Sequence, residues 1–364
     1  MTMSSNGLSL YVHFPFCVKK CAYCAFFSVP VNRDEIFDAY TDACVRNISS
    51  VPKSVISTIY FGGGTPTVIG EKRLCRVLDA IYSSHSVSLG AEITVEANPG
   101  TVTPDRLKTL SENGVNRLSL GLQSANDETL KRLGRIHDRR KFFDCYNDAS
   151  RYFDNISVDV MFSLPDDDPS PTFEAVKELS PKHISAYSLI LEENTPLFND
   201  RAKYAFPSED EEERQYELLC SAFSDYEHYE ISSFAKKGYE SRHNSAYWKR
   251  SEYIGIGAAA HSFWKNRRFS YPNDIDGFIK SDVFPHFTDF ETAHEITADE
   301  AEEERILLGL RLAEGVSLDE TMMKQAEKFV SAGYAAINNG VFALNEKGFR
   351  ISNYIISDLL AVKG

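Results

Sequence analysis

Three cysteines near the start of the chain have spacing that suits a metal cluster. Cys17, Cys21 and Cys24 follow the pattern C-x3-C-x2-C. A [4Fe–4S] cluster has four irons, and each normally takes one thiolate. Three thiolates therefore leave one iron with an open coordination position, where a small molecule could bind. Structural zinc needs a fourth ligand, which His13 could supply, so a zinc site and three incidental thiols stay open as alternatives.

The elements that would position these thiols follow a repeating pattern between residues 8 and about 190. Short apolar runs alternate with amphipathic segments, which is typical of βαβ units and a parallel sheet. Six runs are too few for a closed eight-fold barrel, so the sequence predicts a partial (β/α)6 TIM-like barrel in the α/β class. The predicted strands are Ser9–Phe14, Thr58–Phe61, Glu92–Glu96, Arg117–Leu122, Ile156–Phe162 and His183–Leu189.

Residues that follow the predicted strands are the site candidates, because ligands of parallel sheets sit at the carboxyl ends of strands. The second strand leads into Gly62-Gly63-Gly64-Thr65-Pro66, where glycine permits close approach of the backbone to a ligand. An ordinary turn is the alternative for this segment. Glu96 ends one apolar run and Asp159 lies inside another, and each acid needs a partner if it is buried. Gln123 and Arg135 follow the fourth strand.

Composition narrows the class of protein. The chain has 364 residues and a net charge of -14, so nucleic acid is not expected as a general partner. We expect no signal peptide and no membrane span, since the N-terminus lacks a basic region and no apolar run is long enough. Seven cysteines, four of them scattered, do not form a disulfide framework, which favours a reducing, cytoplasmic location.

The second half of the chain departs from the repeating pattern. We expect a helix over Ser208–Ser224 and a strand over Tyr229–Phe234. The last part is predicted to hold two helices and a pair of strand-like segments near Val341–Leu344 and Arg350–Ile351, a winged-helix-like arrangement within a smaller α+β domain. We therefore divide the chain into a partial barrel (residues 1–195), a middle region (196–298) and a C-terminal cover domain (299–364).

The cysteine motif and the aromatic-rich loop after it resemble those of the radical SAM superfamily. Within it the chain looks like the oxygen-independent coproporphyrinogen III oxidase-like group, and like its HemW-type haem chaperones, which carry the pattern His-Asn-x-x-Tyr-Trp. The resemblance implies a [4Fe–4S] cluster on the three cysteines, with S-adenosylmethionine on the open iron. The residues that it implies as contacts to S-adenosylmethionine are Tyr11, Gly63, Gly64, Thr65, Glu96, Gln123, Arg135 and Asp159.

The same resemblance implies a haem site in the second half. Its residues would be His243, Asn244, Tyr247 and Trp248. A porphyrin is flat and apolar with two carboxylates, which suits aromatic faces beside basic residues, and His243 could ligate iron. Taken without the resemblance, the segment is also consistent with an aromatic core patch around a hydrogen-bonded histidine. The resemblance further implies an acceptor haemoprotein and an electron donor such as a flavodoxin or ferredoxin, and it leaves peripheral membrane contact open.

Two departures separate the haem chaperones from the coproporphyrinogen dehydrogenases of the same group. The dehydrogenases extend the cluster motif to C-x3-C-x2-C-x-C, but Phe26 occupies the last position here. They also carry an N-terminal extension, whereas only sixteen residues precede Cys17. We therefore expect a haem chaperone, with a dehydrogenase or another radical SAM enzyme as the alternatives, and leave enzymatic activity open.

Overall fold

The computed structural model describes residues 7–281, 284 and 293–362 of the chain. Its strands are β1 (Leu8–Phe14), β2 (Phe16–Cys17), β3 (Val29–Pro30), β4 (Val55–Gly63), β5 (Ser86–Ala97), β6 (Arg117–Gln123), β7 (Asn155–Phe162), β8 (His183–Ser188), β9 (Glu227–Glu230), β10 (Ser233–Ala235), β11 (Tyr253–Ile256), β12 (His261–Trp264), β13 (Arg267–Ser270), β14 (His294–Glu295), β15 (Val316–Ser317), β16 (Ala335–Asn338) and β17 (Val341–Leu344).

Helices cover the sheet and build the C-terminal part. They are α1 (Asp34–Ser50), α2 (Glu71–Ser84), α3 (Pro104–Glu112), α4 (Asp127–Arg132), α5 (Arg139–Ala149), α6 (Ser170–Leu179), α7 (Pro196–Asn199), α8 (Glu209–Ala222), α9 (Arg242–Trp248), α10 (Ile275–Lys280), α11 (Ala298–Gly309), α12 (Glu320–Ser331), α13 (Glu346–Arg350) and α14 (Ser352–Leu360). In the described ranges, no helix is both long enough and apolar enough to cross a membrane.

One 12-stranded sheet organises most of the described chain, in the order β14-β13-β12-β11-β1-β4-β5-β6-β7-β8-β10-β9. Its centre is parallel, and the predicted α/β fold with successive βαβ units is confirmed. Burial on both faces explains why these strands are apolar almost throughout. Helix α1 shows the matching helical pattern, with Phe37, Tyr40, Cys44 and Ile48 buried on one face.

The sheet is wider than the six predicted units. Strand β11 pairs with β1 in parallel and adds a seventh parallel strand from the middle region. Its short apolar segment, Tyr253–Ile256, gives little local signal, so the pairing depends on tertiary context. Because strands on both sides of residue 195 share one sheet, the boundary there separates sequence segments rather than sheets. The division into three regions stays a prediction.

Two strand predictions were wrong in detail. The single strand expected over Tyr229–Phe234 is two antiparallel strands, β9 and β10, with a register shift between them. In the C-terminal part, β17 pairs with β16 rather than with Arg350–Ile351, where α13 ends. The turn between β16 and β17 is Asn339-Gly340, and both residues have positive φ (52° and 78°). Asn-Gly is a strong hairpin signal that our sequence reading overlooked.

The C-terminal helices and the three-stranded sheet β15-β17-β16 share a second hydrophobic core. It includes Ile306 of α11, Phe329 of α12, Phe342 of β17 and Ile355 of α14. The main core lies between the large sheet and the helices that cover it. Separate cores of this kind indicate that the C-terminal part packs largely on itself.

Candidate cluster and cofactor site

The three cysteines of the motif lie on a loop that leaves β1 through β2. Cys17 is buried, Cys21 and Cys24 are half-buried, and all three are free thiols. The loop consists of turns and extended residues rather than a helix, as the spacing predicted. Burial raises the pKa of Cys17 and of Cys24, and the nearby Cys21 thiol raises both further. The loop therefore carries three free thiols within eight residues, each of which could serve as a ligand of one shared group.

The glycine segment after β4 packs directly against this loop. The Gly64 amide donates to the Phe14 carbonyl and the Thr65 amide to the Phe16 carbonyl, both at 2.8 Å. A Cβ at Gly64 would lie 3.0 Å from the Cys17 sulfur and 2.7 Å from the Phe16 oxygen. The Thr65 hydroxyl lies 4.0 Å from the same sulfur. The segment is thus a wall of the cysteine site, and only glycine fits at position 64 without displacing the backbone.

Arg135 and Gln123 also meet at the cysteine loop. Arg135 Nη1 donates to the Cys21 sulfur at 3.5 Å, and Nη2 donates to the Gly121 carbonyl at 2.9 Å. Gln123 has a positive φ of 68°. A Cβ at Gly121 would lie 2.7 Å from Gln123 Nε2 and 2.9 Å from Arg135 Nη2. A guanidinium and an amide are therefore held beside the sulfurs, where an acidic group of a ligand could be bound.

Glu96 lies next to the glycine segment at the end of β5. Its carboxylate accepts from the Tyr60 hydroxyl at 2.8 Å and from the Gly63 amide at 3.2 Å. Burial raises the pKa of Glu96 to about 7; the Tyr60 hydrogen bond opposes this shift, and the Asp159 charge adds to it. A cation placed here would remove that penalty, so the carboxylate is suited to receive an ammonium group.

Asp159 is held in the middle of the sheet. Ser119 donates to its two oxygens at 2.8 and 3.0 Å, and Ser157 donates to one of them at 3.2 Å. Burial raises the pKa of Asp159 despite these hydrogen bonds and despite the charge of Arg117. The carboxylate is therefore fixed across β6 and β7 by serines that our sequence reading did not single out.

Tyr11 joins β1 to the end of the cysteine loop through a histidine. The Tyr11 hydroxyl lies 2.9 Å from His13 Nδ1, and His13 Nε2 lies 3.1 Å from the Phe27 carbonyl. Since a carbonyl only accepts, Nε2 carries the proton and Nδ1 accepts from Tyr11. Tyr11 therefore supports the loop that follows the cysteines. His13, with both nitrogens engaged, is not placed as a fourth metal ligand.

His243 lies at the start of α9 and is buried, with only 1% of its surface exposed. Its Nδ1 is 2.8 Å from the Thr58 hydroxyl, and its Nε2 is 2.8 Å from the Tyr247 hydroxyl. Thr58 donates to Ser9, so Nδ1 donates to Thr58 and Nε2 accepts from Tyr247. Burial lowers the pKa of His243 to about 3. In this conformation neither nitrogen is available to iron, and ligation would require one hydrogen bond to break.

Glu92 anchors α9 and was not recognised from the sequence. This buried acid of β5 accepts from the His243 amide at 2.9 Å and from the Arg242 amide at 3.0 Å. A carboxylate at a helix N-terminus is favourable because the first amides have no partner within the helix. The available signal was an acid opening an apolar run, which resembles Glu96 at the other end of the same strand.

The other residues of the His-Asn-x-x-Tyr-Trp motif line a cavity of about 500 Å³. Asn244, Tyr247 and Trp248 form one side of it, while Arg311 and Phe349 belong to the C-terminal part. A second cavity, of about 550 Å³, lies beside the cysteine loop and includes Phe26, Tyr253, His261 and Phe263 in its lining. Tyr247 lines both cavities. The motif thus stands between the cysteine site and the C-terminal part.

The raised pKa of Glu96 predicts that the stability of the folded protein depends on pH. Its pKa is about 7 in the folded protein and near 4.5 when exposed, so the folded state retains a proton that the unfolded state has lost. The free energy of unfolding should therefore fall as pH rises from about 5 to 7. We expect Glu96→Gln to make the decrease in the free energy of unfolding between pH 5 and pH 8 smaller by about 1–3 kcal/mol. Urea unfolding at the two pH values, without added ligand, measures this difference.

The exposed Glu112 of α3 supplies the matched control for this measurement. Glu112→Gln should leave the difference between the two pH values unchanged. An equal pH dependence in wild type and Glu96→Gln would contradict the assignment of the shift to Glu96.

Comparison with known proteins identifies the family. The model of the Radical SAM superfamily matches residues 11–179, which include the cysteine loop, Glu96 and Asp159. "Heme chaperone HemW" of Lactococcus lactis subsp. lactis (strain IL1403) is 33% identical over 97% of each chain. The protein of the same name from Bacillus subtilis (strain 168) is 36% identical over 85% of this chain and 84% of that one.

A solved structure agrees at the level of the fold. Coproporphyrinogen III oxidase (HemN) from Escherichia coli superposes with a TM-score of 0.82 over 97% of this chain and 90% of that chain, at 20% identity. Membership of the superfamily implies a [4Fe–4S] cluster and S-adenosylmethionine as cofactors. The donor set fits the cluster, with three free thiols on one loop beside a guanidinium. The chain belongs to the HemW family of radical SAM proteins.

Proposed function

We propose that this protein is a haem chaperone that holds a [4Fe–4S] cluster on Cys17, Cys21 and Cys24 and binds S-adenosylmethionine beside it. The observation that carries the proposal is the meeting of the three thiols with Gly64 and Arg135 at one edge of the sheet. When bound, the cluster supplies one-electron reduction to the neighbouring sulfonium. A flavodoxin or ferredoxin is the proposed class of electron donor.

The surrounding side chains would orient S-adenosylmethionine by charge. Arg135 is placed to meet its carboxylate through Nε, which is buried without a hydrogen-bond partner in the described part of the chain, while Nη1 and Nη2 donate to Cys21 and Gly121. The Glu96 carboxylate, which the Gly63 amide helps to hold in place, would bind its ammonium group, and this would also relieve the cost of burying the Glu96 charge. Gln123 and Asp159 are left for the ribose hydroxyls and the adenine, with Tyr11 and Thr65 supporting the loop and the glycine segment.

For haem we propose the 500 Å³ cavity that Asn244, Tyr247 and Trp248 line. Its aromatic walls suit a flat apolar ring, and Arg311 can meet a propionate. The Arg311 guanidinium lies 5.7 Å from the centre of the Trp248 ring, so the cavity presents a cation and an aromatic face side by side to a ligand. Haem held here would pass to an acceptor haemoprotein, and His243 would ligate iron only after releasing Thr58 or Tyr247.

A haem titration of the anaerobically reconstituted protein tests this proposal. We expect saturable haem uptake with no conversion of coproporphyrinogen III to protoporphyrinogen IX. Arg311→Gln should weaken haem binding by about tenfold through the lost charged contact. Arg214→Gln, at an exposed arginine of α8 outside the cavity, should leave the affinity unchanged.

The outcomes separate the candidate functions. Turnover of coproporphyrinogen without stable haem uptake would mean that the protein is a coproporphyrinogen dehydrogenase rather than a chaperone. A titration with His243→Ala decides the iron ligand: an unchanged haem spectrum and affinity would remove His243 from the haem contacts.

A further inference from the structure

Three potential metal ligands converge at a place remote in sequence from the cysteine loop. Cys220 comes from α8, His228 from β9, and Glu346 begins α13. The Cys220 sulfur, a ring nitrogen of His228 and a carboxylate oxygen of Glu346 all lie within 4.8 Å of one another. Helix α8 packs in the main core, β9 is the edge strand of the large sheet, and α13 belongs to the C-terminal part.

The His228 ring is the observation that points to a ligand. In the described part of the chain, neither ring nitrogen makes a hydrogen bond of good geometry, although both are buried. Buried polar atoms without partners are costly and rare, so they call for an explanation. The ring lies flat on Phe234, with centroids 4.0 Å apart and an interplanar angle of 19°. Packing therefore fixes its orientation while its nitrogens remain available.

The Cys220 side chain can also serve a metal, because it is a buried free thiol. A divalent cation that binds the sulfur would displace the thiol proton to solvent and form a thiolate bond.

We propose that Cys220, His228 and Glu346 form a Zn²⁺ site with a fourth position open to water. One sulfur, one imidazole nitrogen and one carboxylate oxygen are the donor types that zinc accepts. Tetrahedral zinc places its ligand atoms about 3.3–3.7 Å apart, so the three groups need to close by about 1 Å. The exposed side chain of Glu346 is free to make this adjustment.

A metal here would join α8 to the C-terminal part. The Tyr216 hydroxyl of α8 already donates to the Glu346 carbonyl at 3.0 Å, and Arg350 of α13 pairs with Glu213 of α8. Tyr216 and Arg350 line the 500 Å³ cavity, so zinc would hold one wall of that cavity in place. This inference does not depend on what the cavity binds.

Metal analysis of the full-length, anaerobically reconstituted protein tests the site. After exposure to ZnCl₂ and desalting, we expect about one zinc per chain in addition to cluster iron. Cys220→Ser and His228→Gln should lose this zinc and keep the iron. Cys145→Ser, which removes another buried free cysteine, should keep both. Zinc retained in equal amount by Cys220→Ser and His228→Gln would overturn the proposal, as would its absence from wild type.

Cobalt substitution adds a measurement that a merely structural effect would not produce. Titration with CoCl₂ should give a thiolate-to-cobalt charge-transfer band and the visible bands of tetrahedral Co²⁺, both absent in Cys220→Ser. Glu346→Gln alters an exposed side chain and should fold, while weakening cobalt binding at least about tenfold. Unchanged cobalt spectra in Glu346→Gln and in Cys220→Ser would exclude this ligand set.

Discussion

Replacing Cys21 with serine is expected to remove the iron–sulfur cluster while leaving the fold in place. The Cys21 sulfur is one of three on the loop, and Arg135 donates to it at 3.5 Å. A serine hydroxyl is a far poorer ligand for these irons than a thiolate, and the two remaining thiolates would not hold the cluster that we propose on three. After anaerobic reconstitution, the iron and labile sulfide contents should fall to background. The visible absorption of the cluster should be lost with them.

The fold should survive because Cys21 lies on a half-buried loop outside the main hydrophobic core. Far-ultraviolet circular dichroism and the urea midpoint of the unreconstituted protein should match those of wild type. Cys75→Ser supplies the control, since Cys75 is a half-buried free cysteine on α2. Full cluster content in Cys21→Ser, or equal loss in Cys75→Ser, would refute the assignment of the loop.

The second large effect is expected from Gly64→Ala. The added Cβ would meet the Phe16 carbonyl oxygen at 2.7 Å and the Cys17 sulfur at 3.0 Å. Backbone hydrogen bonds at Gly64 and Thr65 fix the segment, so relieving either contact would require the backbone to move. We expect about 1–3 kcal/mol of destabilisation from overpacking. Cluster content after reconstitution should fall severalfold, because the change displaces Cys17, which we propose as a cluster ligand.

Gly100→Ala is the matched control for this substitution. Its Cβ would meet chiefly the flexible end of the Ile136 side chain, at 3.0 Å, rather than backbone or sulfur. Cluster content and urea stability should remain near wild type. Normal iron content and stability in Gly64→Ala would show that the glycine segment is not a wall of the cluster site.

The fold was predictable where the sequence carries strong periodic signals. Strands such as β7 are mostly apolar, and helices such as α1 bury one face, so both can be recognised from the local sequence. Strand β11 could not be recognised this way, because four residues at Tyr253–Ile256 gain their role only from pairing with β1. The same holds in part for α9, a seven-residue helix that Ser241 caps locally but that also donates its first amides to Glu92 of a distant strand.

The site residues also differ in whether the local sequence reveals them. The cysteines and the glycine segment were found because their residue types and spacing are unusual within a short stretch. Ser119 and Tyr60 were missed because each looks ordinary in its own strand and acquires a partner across the sheet. His243 is the opposite case. Its motif is easily recognised, but the sequence does not show that both of its ring nitrogens form hydrogen bonds.

The parallel pairing of β1 with β11 has a consequence for the synthesis of the protein. Strand β1 emerges early from the ribosome, but its partner begins only at Tyr253. At about 5–20 residues per second, one edge of β1 stays unpaired for about 12–50 s. An open apolar edge next to three thiols is a hazard for misassembly. Cluster insertion is therefore expected to follow the arrival of β11, which makes it a late step of biogenesis rather than an early one.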